Sequence, residues 1–454
     1  MAKTPILLTK HLPPNKQATA ILYLIENQII KGQKEIVDAW FKILYNRPHD
    51  TVLQRKFRDT LEALGREDVL SLLDQKQLST TFLEIAGHDI TLPVFAKNSI
   101  IKKTIFSESE KIRLDPRPKS FDTVNYAINQ FIGKYTFIPS ITKYEITNAY
   151  LFYFRGLFAV FDSQLNLIEE CSSPNCEFIF TSKLFIEFLK NGKIEHIKGS
   201  SIMLADQIFK TNFCHWLLDW VTRIPVCARE DNSIFKYIVA DYSQKFQKDT
   251  FRSLGVDDNN IINMNYEMCL KVDRLIVSSS SGRDFRHSKH SYTPWAQRFF
   301  QNSFVPIKDH KLLNSNRIYI SRNKSNRRRI TNEDDLVDLI KPYGFRKVYL
   351  EDLSLTEQAS LFYLSKVIIS PHGAGLSNVV FCRPQTKIME IFSPYYGTAS
   401  FYGCVRTGVE YYCSNGIEPD YTDNLLPDPT KKGEYQKRDI TVNLDSIQKF
   451  LNEI

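Results

Sequence analysis

From residue 317 onward, short apolar runs alternate with longer amphipathic stretches. The apolar runs predict strands, and they are RIYISR (317–322), RKVYLED (346–352), KVIISP (366–371) and KIMEIFSP (387–394). The stretches between them predict helices, and they are NEDDLVDLIKPYG (332–344), LTEQASLFYLS (355–365) and GLSNVVF (375–381). Strands that alternate with helices in this way are typical of right-handed βαβ units and a parallel sheet.

A similar alternation occupies residues 200–310. The predicted elements are a helix at NFCHWLLDWVTRIPV (212–226), a strand at FKYIVA (235–240), a helix at YSQKFQKDTFRSLG (242–255) and a strand at RLIVSSSSG (274–282). Ahead of them, residues 149–171 form short aromatic and β-branched runs that are broken at Gly156, as hairpins would be. The chain is therefore predicted to be α/β, with two Rossmann-like domains, at 93–310 and 311–454, that face a cleft.

Residues 1–92 are predicted to form a small helical region, because apolar residues recur at three- and four-residue spacing between positions 17 and 75. Gly32 and Gly65 lie in similar contexts, at a period that resembles a tetratricopeptide repeat. A plain helical bundle fits the same pattern equally well. Either structure favours a region that docks a protein partner or a second copy of the chain, rather than one that carries chemistry.

The composition is that of a globular protein, with 454 residues of which 43% are hydrophobic and 24% are charged. A net charge of +8 suits an anionic ligand but is too diffuse to indicate nucleic acid by itself. The eight cysteines contain no CxxC motif, which argues against a zinc site or a disulfide framework. Neither a signal-peptide pattern nor a run of 18 apolar residues occurs, so we expect a cytoplasmic protein, with peripheral association at the inner face of the membrane left open.

The stretch SPHGAG (370–375) lies between a predicted strand and a predicted helix. Ligands of parallel sheets bind beyond the carboxyl ends of the strands, which is where this stretch falls. Gly373 and Gly375 would allow a tight turn and a close ligand approach, while the following helix would direct N–H groups at an anion. His372 adds a further donor. The stretch is a candidate phosphate cradle, although a glycine turn at a strand end is as often only a turn.

A basic loop follows the strand at 317–322 and carries five cations between Arg322 and Arg329. The strand should run parallel to the one at 366–371, so both strand ends are expected at the same rim of the sheet. Arginine grips phosphate oxygens bidentately, although a basic run is commonly a solvated loop.

Three acids in this half could assist such a site. Glu333 opens a predicted helix and could cap it or orient an arginine. Glu351 ends a predicted strand, where an acid could hold an arginine or a ribose. Glu390 lies inside KIMEIF and could accept ribose hydroxyls, with a structural ion pair as the equally good alternative.

The predicted helix at 212–226 places His215 and Asp219 four residues apart on one face. A carboxylate beside an imidazole can act as a general base. Arg223 repeats the spacing, so an Asp–Arg helix pair beside a packed histidine is the plainer interpretation and the one that spacing alone favours.

These stretches together resemble glycosyltransferase family 61, which includes plant xylosyltransferases, animal O-linked GlcNAc transferases and many bacterial surface-polysaccharide enzymes. The resemblance covers roughly residues 130–415 and is carried by NFCHWLLDWVTRIP, YISRNKSNRRRITNEDDL, the HGAGLSN string at 372–378, and KIMEIFSP. It implies a GT-B fold and inverting, metal-independent sugar transfer from a nucleotide sugar, usually a UDP-sugar. No metal and no separate cofactor are expected, because the nucleotide sugar is itself a substrate.

The resemblance also implies roles for individual residues. Arg322 and Arg329 would grip the diphosphate, Glu390 would meet the nucleoside, and Asp219 beside His215 is the candidate base for the acceptor hydroxyl. The full predicted donor-binding set is Arg322, Arg329, Asn332, Glu351, His372, Gly373, Ala374, Gly375, Asn378 and Glu390.

The expected setting is a cytoplasmic enzyme of bacterial type that builds a capsule or lipopolysaccharide glycan on a glycan or glycolipid acceptor. Two alternatives stay open: a transferase of another group on the same two-domain plan, and a repeat-bearing scaffold without catalysis. Nucleic acid is not an expected partner, because residues 322–329 contain no aromatic side chain for stacking.

Overall fold

The computed structural model describes residues 101–454 apart from 114–118, 123–134, 139, 155, 164–166, 174–175, 177–178, 180–193, 205–211, 229–233, 266, 280–282, 285–288, 291–293, 306–314, 395–406, 418–431 and 436. The predicted helical region at 1–92 lies outside the described residues, and so does the predicted domain boundary at 310–311.

The strands of the described chain are β1 (Ile101–Ser107), β2 (Glu110–Arg113), β3 (Tyr135–Ile138), β4 (Ile141–Phe154), β5 (Leu157–Phe161), β6 (Glu195–Met203), β7 (Lys236–Ala240), β8 (Ile261–Met264), β9 (Glu267–Ser278), β10 (Arg283–Asp284), β11 (Lys289–His290), β12 (Arg317–Ile320), β13 (Arg346–Val348), β14 (Val367–Pro371), β15 (Lys387–Phe392) and β16 (Glu410–Asn415).

Its helices are α1 (213–227), α2 (Lys245–Ser253), α3 (Pro294–Phe304), α4 (Glu333–Ile340), α5 (Leu355–Leu364), α6 (Lys432–Tyr435) and α7 (Leu444–Leu451). Helix α1 has a π-helical turn at Trp216–Val221 between two short α-helical pieces, Phe213–His215 and Arg223–Cys227. Single turns of 3₁₀ helix occur at Glu169–Cys171, Asp258–Asn260, Lys341–Tyr343 and Leu350–Asp352, and a longer 3₁₀ segment spans Ala374–Phe381.

The first sheet has the strand order β1-β4-β9-β6-β7-β8, with β5 paired to β4. Its pairs from β9 to β8 are parallel, as the alternation of strands and helices predicts. Its pairs from β1 to β9 are antiparallel, and the predicted hairpin break at Gly156 is confirmed by the turn between β4 and β5. Gly156 has φ +94°, and a connection this short can join only antiparallel strands. The first half is therefore a mixed sheet and not a plain succession of βαβ units.

The second sheet, β13-β12-β14-β15-β16, is parallel throughout, as predicted. Its strands are buried on both faces, which explains their nearly continuous apolar sequences. One face, with Tyr319, Ile369 and Met389, packs against α4 and α7. The alternate residues, such as Ile318 and Ile368, belong to the large core that continues into the first sheet.

Helix α3 joins the cores of the two sheets. Its Phe300 and Phe304 rings lie 5.9 Å and 6.3 Å from the Phe381 ring, centroid to centroid. Its Gln297 and Gln301 donate to the Cys382 carbonyl oxygen at 3.2 Å and 3.0 Å. The two sheets are therefore held together by apolar packing and by the hydrogen bonds of these two glutamines. No helix in the described part of the chain is long and apolar enough to span a membrane.

Residues 119–122 precede most of the first sheet in the chain but pair with the edge of the second. The Lys119 N–H donates to the Tyr411 carbonyl oxygen at 3.0 Å, and the Cys413 N–H donates to the Lys119 carbonyl oxygen at 2.9 Å. The segment therefore satisfies backbone groups of β16 that an edge strand would otherwise leave open.

The Asp122 carboxylate fixes the end of this segment. It accepts hydrogen bonds from the Ser414 hydroxyl at 3.0 Å, the Asn415 backbone N–H at 2.8 Å and the Ser446 hydroxyl at 2.5 Å. One side chain thus ties the segment to both β16 and α7.

We expect Asp122→Ala to destabilise the protein by about 2–3 kcal/mol, because it leaves three partly buried donors without an acceptor. The measurement is urea unfolding followed by tryptophan fluorescence. Asp338→Ala, which removes an exposed acid from α4, is the matched control and should change stability by less than about 0.5 kcal/mol. Equal unfolding midpoints for the two variants would contradict a structural role for the segment.

Candidate active site

The parallel pairing of β12 with β14 brings the two predicted anion-binding stretches together. Ile318 is in register with Ile368, and both strands run to the same rim of the second sheet. Arg322 follows the end of β12, and Gly373 follows the end of β14. The predicted common rim is therefore confirmed.

Arg322 lies directly against Gly373. A Cβ atom built on Gly373 would stand 2.3 Å from Arg322 Nη1, and one built on Gly375 would stand 2.7 Å from Leu350 Cδ1. Gly373 has φ 176°, an extended conformation that any residue adopts. The glycine at 373 thus leaves room for the guanidinium in this position and does not serve a tight turn, which corrects the reason that the sequence suggested.

The Arg322 guanidinium is only partly satisfied by the protein. Its Nη2 donates to the Ser325 hydroxyl at 3.0 Å, whereas its Nε is buried without a hydrogen-bond partner within the described residues. Burial lowers the pKa of this guanidinium, against the raising effect of the nearby Glu351 charge. Arginine keeps its proton in proteins, so a desolvated cation with an unused donor favours an anionic ligand.

A buried carboxylate holds the chain on both sides of Arg322. Glu333, only 4% exposed at the start of α4, accepts from the Ser321 hydroxyl at 2.5 Å and from the Asn323 side-chain amide. It also accepts from the Tyr319 hydroxyl at 2.8 Å and from Lys347 Nζ at 2.5 Å. The acid does not contact the guanidinium itself and instead anchors the neighbouring residues.

Two other cations of the basic loop are bound to acids. Lys324 Nζ lies 2.6 Å from the Asp352 carboxylate. Arg329 donates to Asp439 through its backbone N–H at 2.9 Å, through Nε at 3.0 Å and through Nη2 at 2.7 Å. The structure therefore places Arg322 against the glycine stretch, residues 370–375, whereas the Arg329 guanidinium is bound to Asp439.

Asn332 and Glu351 occupy different surroundings. The Asn332 amide donates to the Val442 carbonyl oxygen at 3.1 Å and accepts from the Val442 N–H at 2.8 Å, as a structural brace would. Glu351 is exposed on the turn after β13 and acts electrostatically on Arg322. Of the two, Glu351 is the more exposed side chain and the one whose charge acts on Arg322.

His372 is held by Glu390. Its Nδ1 lies 2.5 Å from Glu390 Oε1, and its ring stacks on Phe392 at 5.0 Å between centroids. The second carboxylate oxygen of Glu390 accepts from the Tyr411 hydroxyl. Glu390 is only 1% exposed, and both of these contacts are with protein side chains. A carboxylate on Nδ1 fixes the orientation and the tautomer of an imidazole.

Helix α1 carries a second histidine–carboxylate pair. His215 Nδ1 lies 2.7 Å from Asp219 Oδ2, with the two side chains 15% and 7% exposed. The predicted pairing on one helix face is confirmed, and Arg223 Nε donates to the Asp219 backbone oxygen at 2.8 Å. Asn212 begins the helix by accepting the Cys214 N–H at 2.9 Å.

The first turn of α1, Phe213–His215, contacts the 3₁₀ segment Ala374–Phe381. This contact brings the His215 helix and the glycine stretch, which the sequence left in separate halves, to one place. The structure thus places two imidazoles and one guanidinium on neighbouring elements. Imidazoles can transfer protons, and a guanidinium can bind an anion.

Asn378 supports the glycine stretch from inside. Its side chain is fully buried, and its Nδ2 donates at 2.9 Å both to Gln358 Oε1 and to the Gly375 carbonyl oxygen. Gln358 in turn donates to the Leu350 carbonyl oxygen at 2.9 Å. These bonds fix the start of the 3₁₀ segment and the end of β13 relative to each other.

Asn323, Gln358 and Tyr411 are among the supporting residues that the sequence did not predict. Asn323 is adjacent to Arg322, and this position in the basic loop was the one available signal. Tyr411 carries no signal, because it reaches Glu390 from a strand 21 residues further along the chain.

A comparison with protein families matches residues 213–389 to the model described as Glycosyltransferase 61. The matched segment begins at the first turn of α1 and ends within β15, so it contains His215, Asp219, Arg322 and the glycine stretch. No curated protein matches the chain. The match spans the same side chains that the fold brings together, and it supports a glycosyltransferase domain of family 61 over residues 213–389.

Proposed function

We propose that the chain transfers a sugar from a nucleotide sugar, with a UDP-sugar as the first donor to test, to a glycan acceptor. The observation that carries the proposal is the Arg322 guanidinium lying over Gly373, at the rim where parallel sheets bind ligands. The transfer inverts the configuration of the sugar and uses arginine where other transferases use a divalent metal.

The donor side of the reaction must stabilise the leaving diphosphate. As the bond from the sugar C1 to the diphosphate oxygen breaks, negative charge grows on that oxygen, and fixed N–H donors nearby stabilise it. Arg322 supplies a desolvated cation with a buried Nε that lacks a partner in the described chain. His372, oriented through Nδ1 by Glu390, can add an N–H from its other nitrogen.

The nucleoside contact is reassigned in this proposal. Glu390 is buried and accepts from His372 and Tyr411, so it orients the imidazole. Glu351 is exposed beside Arg322 and is the acid we propose for the ribose hydroxyls. Arg329, engaged by Asp439, supports the loop and does not grip the phosphates.

The acceptor side requires a base on the face of the sugar opposite the diphosphate. His215 takes the proton of the acceptor hydroxyl while the acceptor oxygen bonds to C1, and Asp219 fixes the imidazole and stabilises its protonated form. We prefer His215 to Asp219 as the base because the histidine side chain is the more exposed of the pair, 15% against 7%.

A two-domain GT-B arrangement fits this division of labour, because His215 comes from the first half of the chain and Arg322 from the second. Closure of such halves over the donor would complete the site. The proposed setting is synthesis of a capsule or lipopolysaccharide glycan, which the resemblance to surface-polysaccharide enzymes supports.

We expect Arg322→Ala to weaken UDP binding by about 1.5–3 kcal/mol, because it removes a charge-assisted contact to the diphosphate. The measurement is titration calorimetry with UDP in the presence of a chelator. Lys324→Ala is the matched control, since it removes the same charge from the same loop at a side chain bound to Asp352. Unchanged affinity in the Arg322 variant would contradict the donor site.

Gly373→Ala tests the same contact from the opposite side. Its added methyl would meet Arg322 Nη1, the end of a flexible side chain, so the guanidinium should be displaced at little cost to folding. We expect UDP affinity to fall about tenfold or more while the unfolding midpoint stays nearly unchanged. A variant that binds UDP like the wild type would show that this position of Arg322 is not needed.

We expect His215→Ala and Asp219→Asn each to lower the rate of sugar transfer by about 10²–10⁴-fold, the usual contribution of a general base, with UDP affinity nearly intact. Single-turnover transfer and calorimetry separate the two effects. His196→Ala is the matched control, because His196 forms an exposed pair with Asp273 at 2.5 Å in the first sheet. Wild-type transfer by the His215 variant would remove it as the base.

A further inference from the structure

We propose that Glu333 is a positioning residue for Arg322, acting through the Asn323 side chain. The inference rests on the proposed donor site and names the device that keeps its cation in place. Glu333 accepts from Ser321 on one side of Arg322 and from Asn323 on the other, so the arginine backbone is pinned at both flanks by one carboxylate.

The carboxylate can serve as an anchor because it is itself immobile. Its four hydrogen bonds come from β12, the loop after β12 and β13, through Tyr319, Ser321, Asn323 and Lys347. Four donors fill the acceptor capacity of a carboxylate. Glu333 is 4% exposed, so water does not compete strongly for these bonds.

Hydrogen bonds within the loop that carries Arg322 add to this arrangement. The Ser321 hydroxyl accepts the Asn323 backbone N–H at 3.2 Å, and the Ser325 N–H donates to the Arg322 carbonyl oxygen at 2.8 Å. The Ser325 hydroxyl then accepts from Arg322 Nη2 at 3.0 Å. Backbone and guanidinium are thus both ordered before a ligand arrives, and such preorganisation raises affinity by removing an entropic cost of binding.

The four donors to Glu333 divide into two kinds, which makes the role testable. Tyr319 lies within β12 and is fully buried, so its bond stiffens the sheet. Asn323 is exposed in the loop, so its bond constrains only the segment that carries Arg322. A purely structural carboxylate would depend more on Tyr319, and a positioning one depends on Asn323.

The experiment compares two single variants, Asn323→Ala and Tyr319→Phe. It also uses the double variant that combines Asn323→Ala with Arg322→Ala. We expect Asn323→Ala to weaken UDP binding about tenfold with little change in unfolding midpoint. Tyr319→Phe should lower the midpoint while changing UDP affinity less than about twofold. In the Arg322→Ala background, Asn323→Ala should have no further effect on affinity, because it acts through the guanidinium.

A second measurement needs no nucleotide. Hydrogen exchange of the peptide that contains residues 321–325 should become faster in Asn323→Ala and stay at the wild-type rate in Tyr319→Phe. Failure of the wild type to bind UDP would overturn the proposed function alone, and the exchange comparison would still decide the role of Glu333. Equal exchange in all three proteins, or additive losses in the double variant, would overturn the positioning role.

Discussion

The parallel pairing of β12 with β14 is the constraint on which the candidate site depends. The two strands lie side by side in an all-parallel sheet, so both end at one rim, and the residues just beyond them must share that space. Arg322 extends from one strand end, and Gly373 follows the other without a side chain to oppose it. A slip in the register of these strands would separate the guanidinium from the backbone it covers, whatever the loops did.

Three buried carboxylates orient side chains of the candidate site. The three arrangements are Glu333 with the flanks of Arg322, Asp219 with His215, and Glu390 with His372. In each, the acid is buried and accepts hydrogen bonds from protein groups. Burying a carboxylate costs free energy of folding unless its oxygens are paired, so these three acids orient their partners at some cost to stability. In the proposed function these three acids therefore orient other groups and do not contact the ligand themselves.

The sequence predicts the parts of this structure that depend on local pattern. The alternation after residue 317 predicts the parallel sheet, and the strand-end positions of Arg322 and His372 predict their common rim, because both follow from period and topology alone. Long-range pairing is not contained in local pattern. Arg329 therefore resembles Arg322 in the sequence, although its guanidinium is bound to Asp439, 110 residues away. The role of Gly373 likewise depends on a side chain from another strand, so its reason could not be derived from its neighbours.

The segment 119–122 connects the edge of the second sheet to the centre of the site. Its Lys119 N–H bonds the backbone of Tyr411, whose hydroxyl donates to Glu390, the acid that holds His372. Glu390 is almost completely buried, and loss of the Tyr411 donor would leave one of its buried carboxylate oxygens without that hydrogen bond, which is costly. The position of Tyr411 on β16 is thus a condition for the orientation of the imidazole. Residues 119–122, which have no role in the proposed chemistry, thereby stabilise the strand on which the His372 arrangement rests.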